Sequence, residues 1–193
     1  MNKPLPRRPG RPRSERARKA ALNAALALAA EREPSTLTMD AIAKRAEVSK
    51  DTLYRWWHSK TEVVLDALAE RGQATIPLPD TGTLEGDLRA FLRSTADSAN
   101  EGTRRLLREM AAAAAADPTV ADAVRDRFIL TRRAALTDLL RRAVERGELA
   151  EESVGLLLDL VYGSLWYRLI FNLGALDYEW ADQIAALMEA RGR

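Results

Sequence analysis

Lys50, Arg55 and Lys60 recur at five-residue intervals in the stretch SKDTLYRWWHSK, with Ser49, Thr52 and Tyr54 set among them. Cations interleaved with hydroxyls can meet the phosphates of a nucleic acid, and Lys or Arg can also read guanine edges. Charge is unevenly spread. Residues 1–60 hold 14 Lys+Arg against 6 Asp+Glu, a net of +8, whereas the remainder holds 16 against 22, a net of −6. All five lysines (Lys3, Lys19, Lys44, Lys50, Lys60) fall in the first part. A basic end on an acidic body points to a polyanion partner for that end alone.

Other chemistries lack their residues. No cysteine is present, which removes disulfides, thiolate metal sites and thiol nucleophiles and fits a reducing cytoplasm. His58 is the only histidine, too little for a zinc site or an imidazole-based active site. There is no phosphate-cradling Gly loop, and Glu151-Glu152 reads as an ordinary helix start rather than a paired-carboxylate site. Neither an enzyme nor a metal or cofactor site is expected.

The elements that must position these cations are helical. The 193 residues include 34 Ala and 28 Leu against 8 Val and 5 Ile. Ala and Leu favour helices and β-branched residues favour sheets, so an all-α fold of nine or ten helices follows. Residues 1–13, with four prolines, five basic residues and no acid, are expected to be a flexible basic arm. The Ala-rich run 20–30 after this basic stretch has the look of a secretory leader. Asn23 interrupts it, however, and a helical domain follows, so it is assigned to the fold. A first helix is expected from Ser14 to about Glu33, a short second over Met39–Ala46 capped by Thr38, and a third from Ser49 to about His58. Thr61 is the expected cap of a fourth.

Pro77, Pro79 and Gly82 mark a boundary between residues 73 and 83. Beyond it, helices are expected over 84–100, 103–116, 118–147 with one break, 153–172 and 177–190. The long helix near the C-terminus carries Asp159 and Arg168, so no run reaches the ~18–20 uncharged residues of a spanning helix, and no membrane partner is expected.

Two short helices joined by a tight turn fit helix-turn-helix geometry. Ile42, Val48 and Leu53 would lock them together and present the second as a rod to a major groove about 12 Å wide. Positions not claimed by packing would be Lys50, Asp51, Thr52, Tyr54, Arg55 and Trp57. Asp51 suits the helix N-terminus or could accept from a cytosine amino group.

The run TMDAIAKRAEVSKDTLYRWW from Thr38 to Trp57, followed by HSKTEVV, resembles the helix-turn-helix of TetR-family (tetracycline-repressor-like) regulators. The likeness is dense over about 14–73. It implies a homodimer with a DNA-binding domain over 14–73 and a ligand-binding and dimerisation domain over 84–193. Matched to the motif, Thr38, Ser49, Lys50, Asp51, Thr52, Tyr54, Arg55 and Lys60 would face DNA, with Trp56 packed between helices and Trp57 open to either role, DNA contact or packing. Glu47 departs from the family's usual turn Gly, and His58 stands where Pro is common. In the arm, RRPGRPR resembles minor-groove AT-hook peptides, so Arg11 and Arg13 would either enter the minor groove or add general phosphate attraction.

The C-terminal half shows its building material more than its target. Phe91, Met110, Phe128, Tyr162, Trp166 and Tyr167 are candidates for an effector pocket, with ordinary core as the alternative. Arg104, Arg105 and Arg108 would either pair an anionic effector or form a solvated face. The resemblance implies a four-helix bundle across a two-fold axis, built from Arg127–Arg146 and Ser153–Asn172. Leu136, Leu140, Leu158, Val161, Leu165 and Leu169 are the expected interface. The sum is a cytoplasmic one-component regulator, expected to be a repressor released by a small apolar or amphipathic effector. A ligand-independent architectural dimer is the rival.

Overall fold

Ala-, Leu- and Arg-rich sequence becomes helix almost throughout. The computed structural model describes residues 11–31, 37–75 and 78–189, with side chains only within 15–31, 37–74 and 78–187, and no strand occurs among the described residues. In chain order these are α1 (Arg11–Glu31), α2 (Met39–Ala46), α3 (Lys50–Tyr54), α4 (Lys60–Thr75), α5 (Leu84–Ser98), α6 (Glu101–Ala116) and α7 (Pro118–Val124). A π-helical turn (Arg125–Ile129) leads into α8 (Leu130–Glu145), followed by α9 (Ser153–Phe171) and α10 (Tyr178–Glu189). The chain packs as two compact units, one ending at Val64 and the other beginning at Leu65, so the division falls within α4.

The first unit is held by α1 against α2 and α2 against α3. Ala21, Leu22, Ala25, Leu28 and Ala29 on α1 are buried, as are Ile42, Leu53 and Trp57 beyond it. α1 begins at Arg11, ahead of the expected Ser14, which places Arg11 and Arg13 in its first turn; their side chains, and residues 1–10 of the expected arm, lie outside the described residues.

In the second unit α5 packs on α10 and α8, α9 on α8 and α6, and α7 on α6. Leu136, Leu139, Leu140 and Ala143 on α8 have no exposed surface, and Leu88, Leu92, Trp180 and Ala185 close the α5–α10 side. Asp87, fully buried on α5, accepts from the Thr81 backbone N–H (2.6 Å) and hydroxyl (2.9 Å) and from Arg146 (3.2 Å), which ties the start of α5 to the end of α8. The cost of burying a carboxylate is thereby offset by three donors.

Caps differ from expectation in instructive places. α4 is capped by Ser59, not Thr61: the Glu62 N–H donates to Ser59 Oγ (3.2 Å), and the Glu62 carboxylate accepts from the His58 N–H (3.2 Å). Ser59-Lys60-Thr61-Glu62 is a capping box in the sequence, and Glu three residues on is what favours Ser59 over Thr61. α6 likewise starts two residues early because Asn100 Oδ1 accepts from the Thr103 N–H (3.0 Å). α9 contains an 18-residue window of mean hydropathy 1.4, so it passes for a spanning helix by length and composition, as core helices also do, although Asp159 and Arg168 still break any uncharged run.

Candidate nucleic-acid interface and ligand cavity

Thr38 and Ser49 each cap a short helix. Thr38 Oγ1 accepts from the Ala41 N–H (3.1 Å) and Ser49 Oγ from the Thr52 N–H (3.2 Å). Between them, Glu47 lies in the left-handed region (φ 56°, ψ 38°). The Val48 N–H reaches the Ala43 carbonyl (3.1 Å) and the Glu47 N–H the Lys44 carbonyl (3.3 Å), which is a Schellman turn. Gly147 makes the same turn after α8 with φ 77°. Glu47 therefore holds a conformation that costs a non-glycine residue on the order of 1 kcal/mol. The expected turn is present, and its strain with it.

α3 stops at Tyr54, not near His58, but one further turn continues: the Trp57 N–H bonds the Leu53 carbonyl at 3.1 Å. Trp57 thus shares a face with Leu53, and both are buried (1% and 0% exposed). Trp57 does not face DNA. Trp56 is half-buried and meets Trp57 edge-on, ring centroids 5.4 Å apart. Trp57 takes the packed position expected of Trp56, because i, i+4 spacing from Leu53 selects the second indole.

What remains outward is Lys50, Asp51, Tyr54 and Arg55, with Thr52 half-buried beside them. Lys50 Nζ lies 2.6 Å from Asp40 Oδ2 on α2, and that contact raises the lysine's pKa. Arg55 Nη2 donates to Thr52 Oγ1 (3.3 Å), whose hydroxyl also pairs with Ser49 Oγ (2.8 Å). Tyr54 is 47% exposed, its ring standing off the surface. Lys60, half-buried, opens α4. On the second helix of a helix-turn-helix, this cluster of cation, hydroxyl and phenol can grip phosphate and touch base edges.

Residues 21–67 match the family described as bacterial regulatory proteins, tetR family, and residues 78–188 match a Tetracyclin repressor-like C-terminal domain. The HTH-type transcriptional regulator YdeS of Bacillus subtilis is 37% identical over 166 residues, 84% of this chain and 83% of that protein. AqdR of Rhodococcus erythropolis, another HTH-type transcriptional regulator, is 30% identical over 84% of this chain and 78% of its own. Among solved structures, the TetR family transcription regulator SCO0332 superposes with a TM-score of 0.80 at 31% identity, covering 90% of this chain and 97% of the other. The chain belongs to the TetR family. It is a DNA-binding transcriptional regulator, not an enzyme.

In the TetR-family C-terminal unit, α4, α5, α6, the π turn, α8 and α9 enclose a largely apolar cavity of about 90 Å³. Of the residues proposed for an effector pocket, Phe128, Tyr162 and Trp166 line this cavity. Phe91 and Met110 do not. Both are buried in the packing behind it, and Phe91 reaches the cavity only through Arg132, whose guanidinium lies 5.5 Å from its ring centre. Tyr167 is 56% exposed and packs on Phe171 instead. The surface arginines take other roles: Arg104 donates to the Ala99 and Leu176 carbonyls, and Arg108 pairs with Glu101.

The expected dimer contacts also need correction. Leu136, Leu140, Leu158, Val161 and Leu169 are at most 4% exposed within one chain, and Leu165 and Leu169 line the cavity. α9 is apolar nearly all round, so helical spacing cannot say which stripe faces inward. Its outward stripe is Leu156, Leu160, Gly163, Tyr167 and Ile170, at spacings of four, three, four and three.

Proposed function

We propose that this regulator is a cytoplasmic repressor that binds a roughly palindromic operator as a homodimer and is released by a small molecule held in the C-terminal cavity. The observation that carries the DNA half is α3: Leu53 and Trp57 anchor it, and Lys50, Tyr54 and Arg55 stand on its free face. Two such helices in a two-fold dimer would enter major grooves about 34–36 Å apart. Thr38, Ser49, Thr52 and Lys60 complete the contact set, with Asp51 at the helix N-terminus, and Arg11 and Arg13 extend it at the start of α1.

The outward stripe of α9 supports the dimer. A row of exposed Leu, Tyr and Ile side chains calls for cover. A Cβ at Gly155 or Gly163 would meet nothing within 4 Å, which leaves room for a second helix to approach. Asp159 and Arg168 on the same helix favour a protein partner over lipid. The ligand half rests on the cavity and on likeness to the Flavonoid-responsive Regulator FrrA, whose structure superposes with a TM-score of 0.62 at 26% identity over 92% of this chain and 95% of that one. α4 lends residues to the cavity wall and carries Lys60 at its other end, so ligand-dependent movement of this helix couples the two functions, typically by about 1–3 kcal/mol.

The test is selection of bound duplexes from a random pool, followed by gel shift. The wild type should enrich a palindrome, and the Lys50→Ala/Tyr54→Ala double variant should lose the shift while keeping its helical circular dichroism. Retained binding by that variant overturns the assignment.

A further inference from the structure

Arg132 is 8% exposed and lines the cavity on α8, yet among the described residues no carboxylate pairs with it. Its one side-chain hydrogen bond runs from Nη1 to the Gly72 carbonyl (3.2 Å), and its guanidinium leans over Phe91. Among the described residues Nε and Nη2 thus meet no protein acceptor, and burial pushes the guanidinium's pKa down. An arginine stays charged at any physiological pH, so a buried, unneutralised cation faces an apolar chamber.

The sequence also makes room for it. Gly72 sits inside α4, where glycine is a poorer helix former than alanine. A Cβ there would meet Arg132 Nη1 at 3.2 Å and Cδ at 3.4 Å. Tyr162 Oη, donating to the Arg132 carbonyl at 2.6 Å, fixes the backbone from the other side. The seat is built.

We propose that the cavity takes a compact apolar molecule bearing a single carboxylate, with Arg132 as its counter-ion. The Arg132 fork offers two parallel donors to one carboxylate and neutralises one negative charge; Arg71, which also lines the cavity, already has a partner of its own, so a phosphate dianion would bring a second, uncompensated charge into a largely apolar chamber. Phe128, Trp166, Leu165 and Leu169 would hold the hydrocarbon. A free space of about 90 Å³ holds roughly six to nine waters. That suits a ligand on the order of ten heavy atoms. This proposal deepens the ligand-response reading and rests on it.

The experiment compares 1-naphthoate, an acid, with 1-naphthamide, its neutral isostere, by calorimetric titration of full-length protein. Wild type should bind the acid roughly tenfold or more tightly than the amide. Arg132→Met should bring the two within about twofold, since a Met of similar reach keeps the apolar wall. Equal affinity of wild type for acid and amide, or failure to bind either, overturns the proposal even if the variant does not fold. Each titration is repeated with the selected duplex present. Acid binding without DNA release sinks the ligand-response reading and leaves the carboxylate site standing.

Discussion

Lys50 and Asp40 form an exposed ion pair at 2.6 Å, joining the first turn of the recognition helix to the first turn of the helix before it. A phosphate arriving at Lys50 must compete with this carboxylate. Asp40→Asn should therefore tighten binding to duplex DNA several-fold, and Lys50→Ala should weaken it and lower the slope of log affinity against log salt by about one. Fluorescence anisotropy over a salt series reads both. An unchanged affinity in Asp40→Asn would show that the pair does not gate the lysine.

The adjacent tryptophans should behave differently. Trp57→Ala removes a buried indole and should destabilise the first unit by about 3–5 kcal/mol, with loss of DNA binding following from unfolding. Trp56→Ala should cost markedly less. Urea denaturation followed by circular dichroism decides, and equal losses would contradict the packing.

Glu47→Gly relieves left-handed strain but gives the unfolded chain more freedom, so the two effects partly cancel. A net stabilisation of up to about 0.5 kcal/mol is expected, read as a rise in the denaturation midpoint. A lower midpoint would mean that the Glu47 side chain makes a compensating contact.

Burial raises the Tyr162 phenol from the usual 10 to about 12, partly countered by the charges of Arg132 and Arg133. A raised folded-state value stabilises the fold fully below pH 10, the unfolded value, and this contribution is lost as pH climbs towards 12. The effect is worth at most about 2–3 kcal/mol. Phenolate difference spectra should show one late-titrating tyrosine that disappears in Tyr162→Phe. If the late phase survives that substitution, another tyrosine owns it.

Leu160, 41% exposed, lies mid-way along the outward stripe of α9. Leu160→Arg should convert a dimer into a monomer by light scattering while leaving helix content intact. A dimer that persists would place the interface elsewhere.

The part of the site legible in the sequence was that governed by local rules. Ser49 capping, the turn at Glu47 and the helical register of Leu53 depend on residues within one or two turns, so α2 and α3 fall near where the pattern puts them. Trp57 was legible by the same rule, since i, i+4 spacing from Leu53 puts it on the packed face, but the adjacent aromatic Trp56 offers a competing candidate for that place. The interface leucines failed for another reason: a helix apolar on every side has no amphipathic signal to orient it. Arg132 was hidden among Arg125, Arg127 and Arg133, since its isolation depends on helices distant in sequence.

The π-helical turn at Arg125–Ile129 has a consequence for divergence among relatives. Such a turn closes i→i+5 bonds, one residue more than an α turn, and Phe128 and Ile129, though neighbours, both front the cavity. Deleting one codon there would restore regular winding and rotate the segment by about 100° relative to α8, replacing the side chains that a ligand meets while sparing the leucines that pack α8. The walls of the proposed effector site can thus change by a single in-frame loss, with no need to rebuild the scaffold.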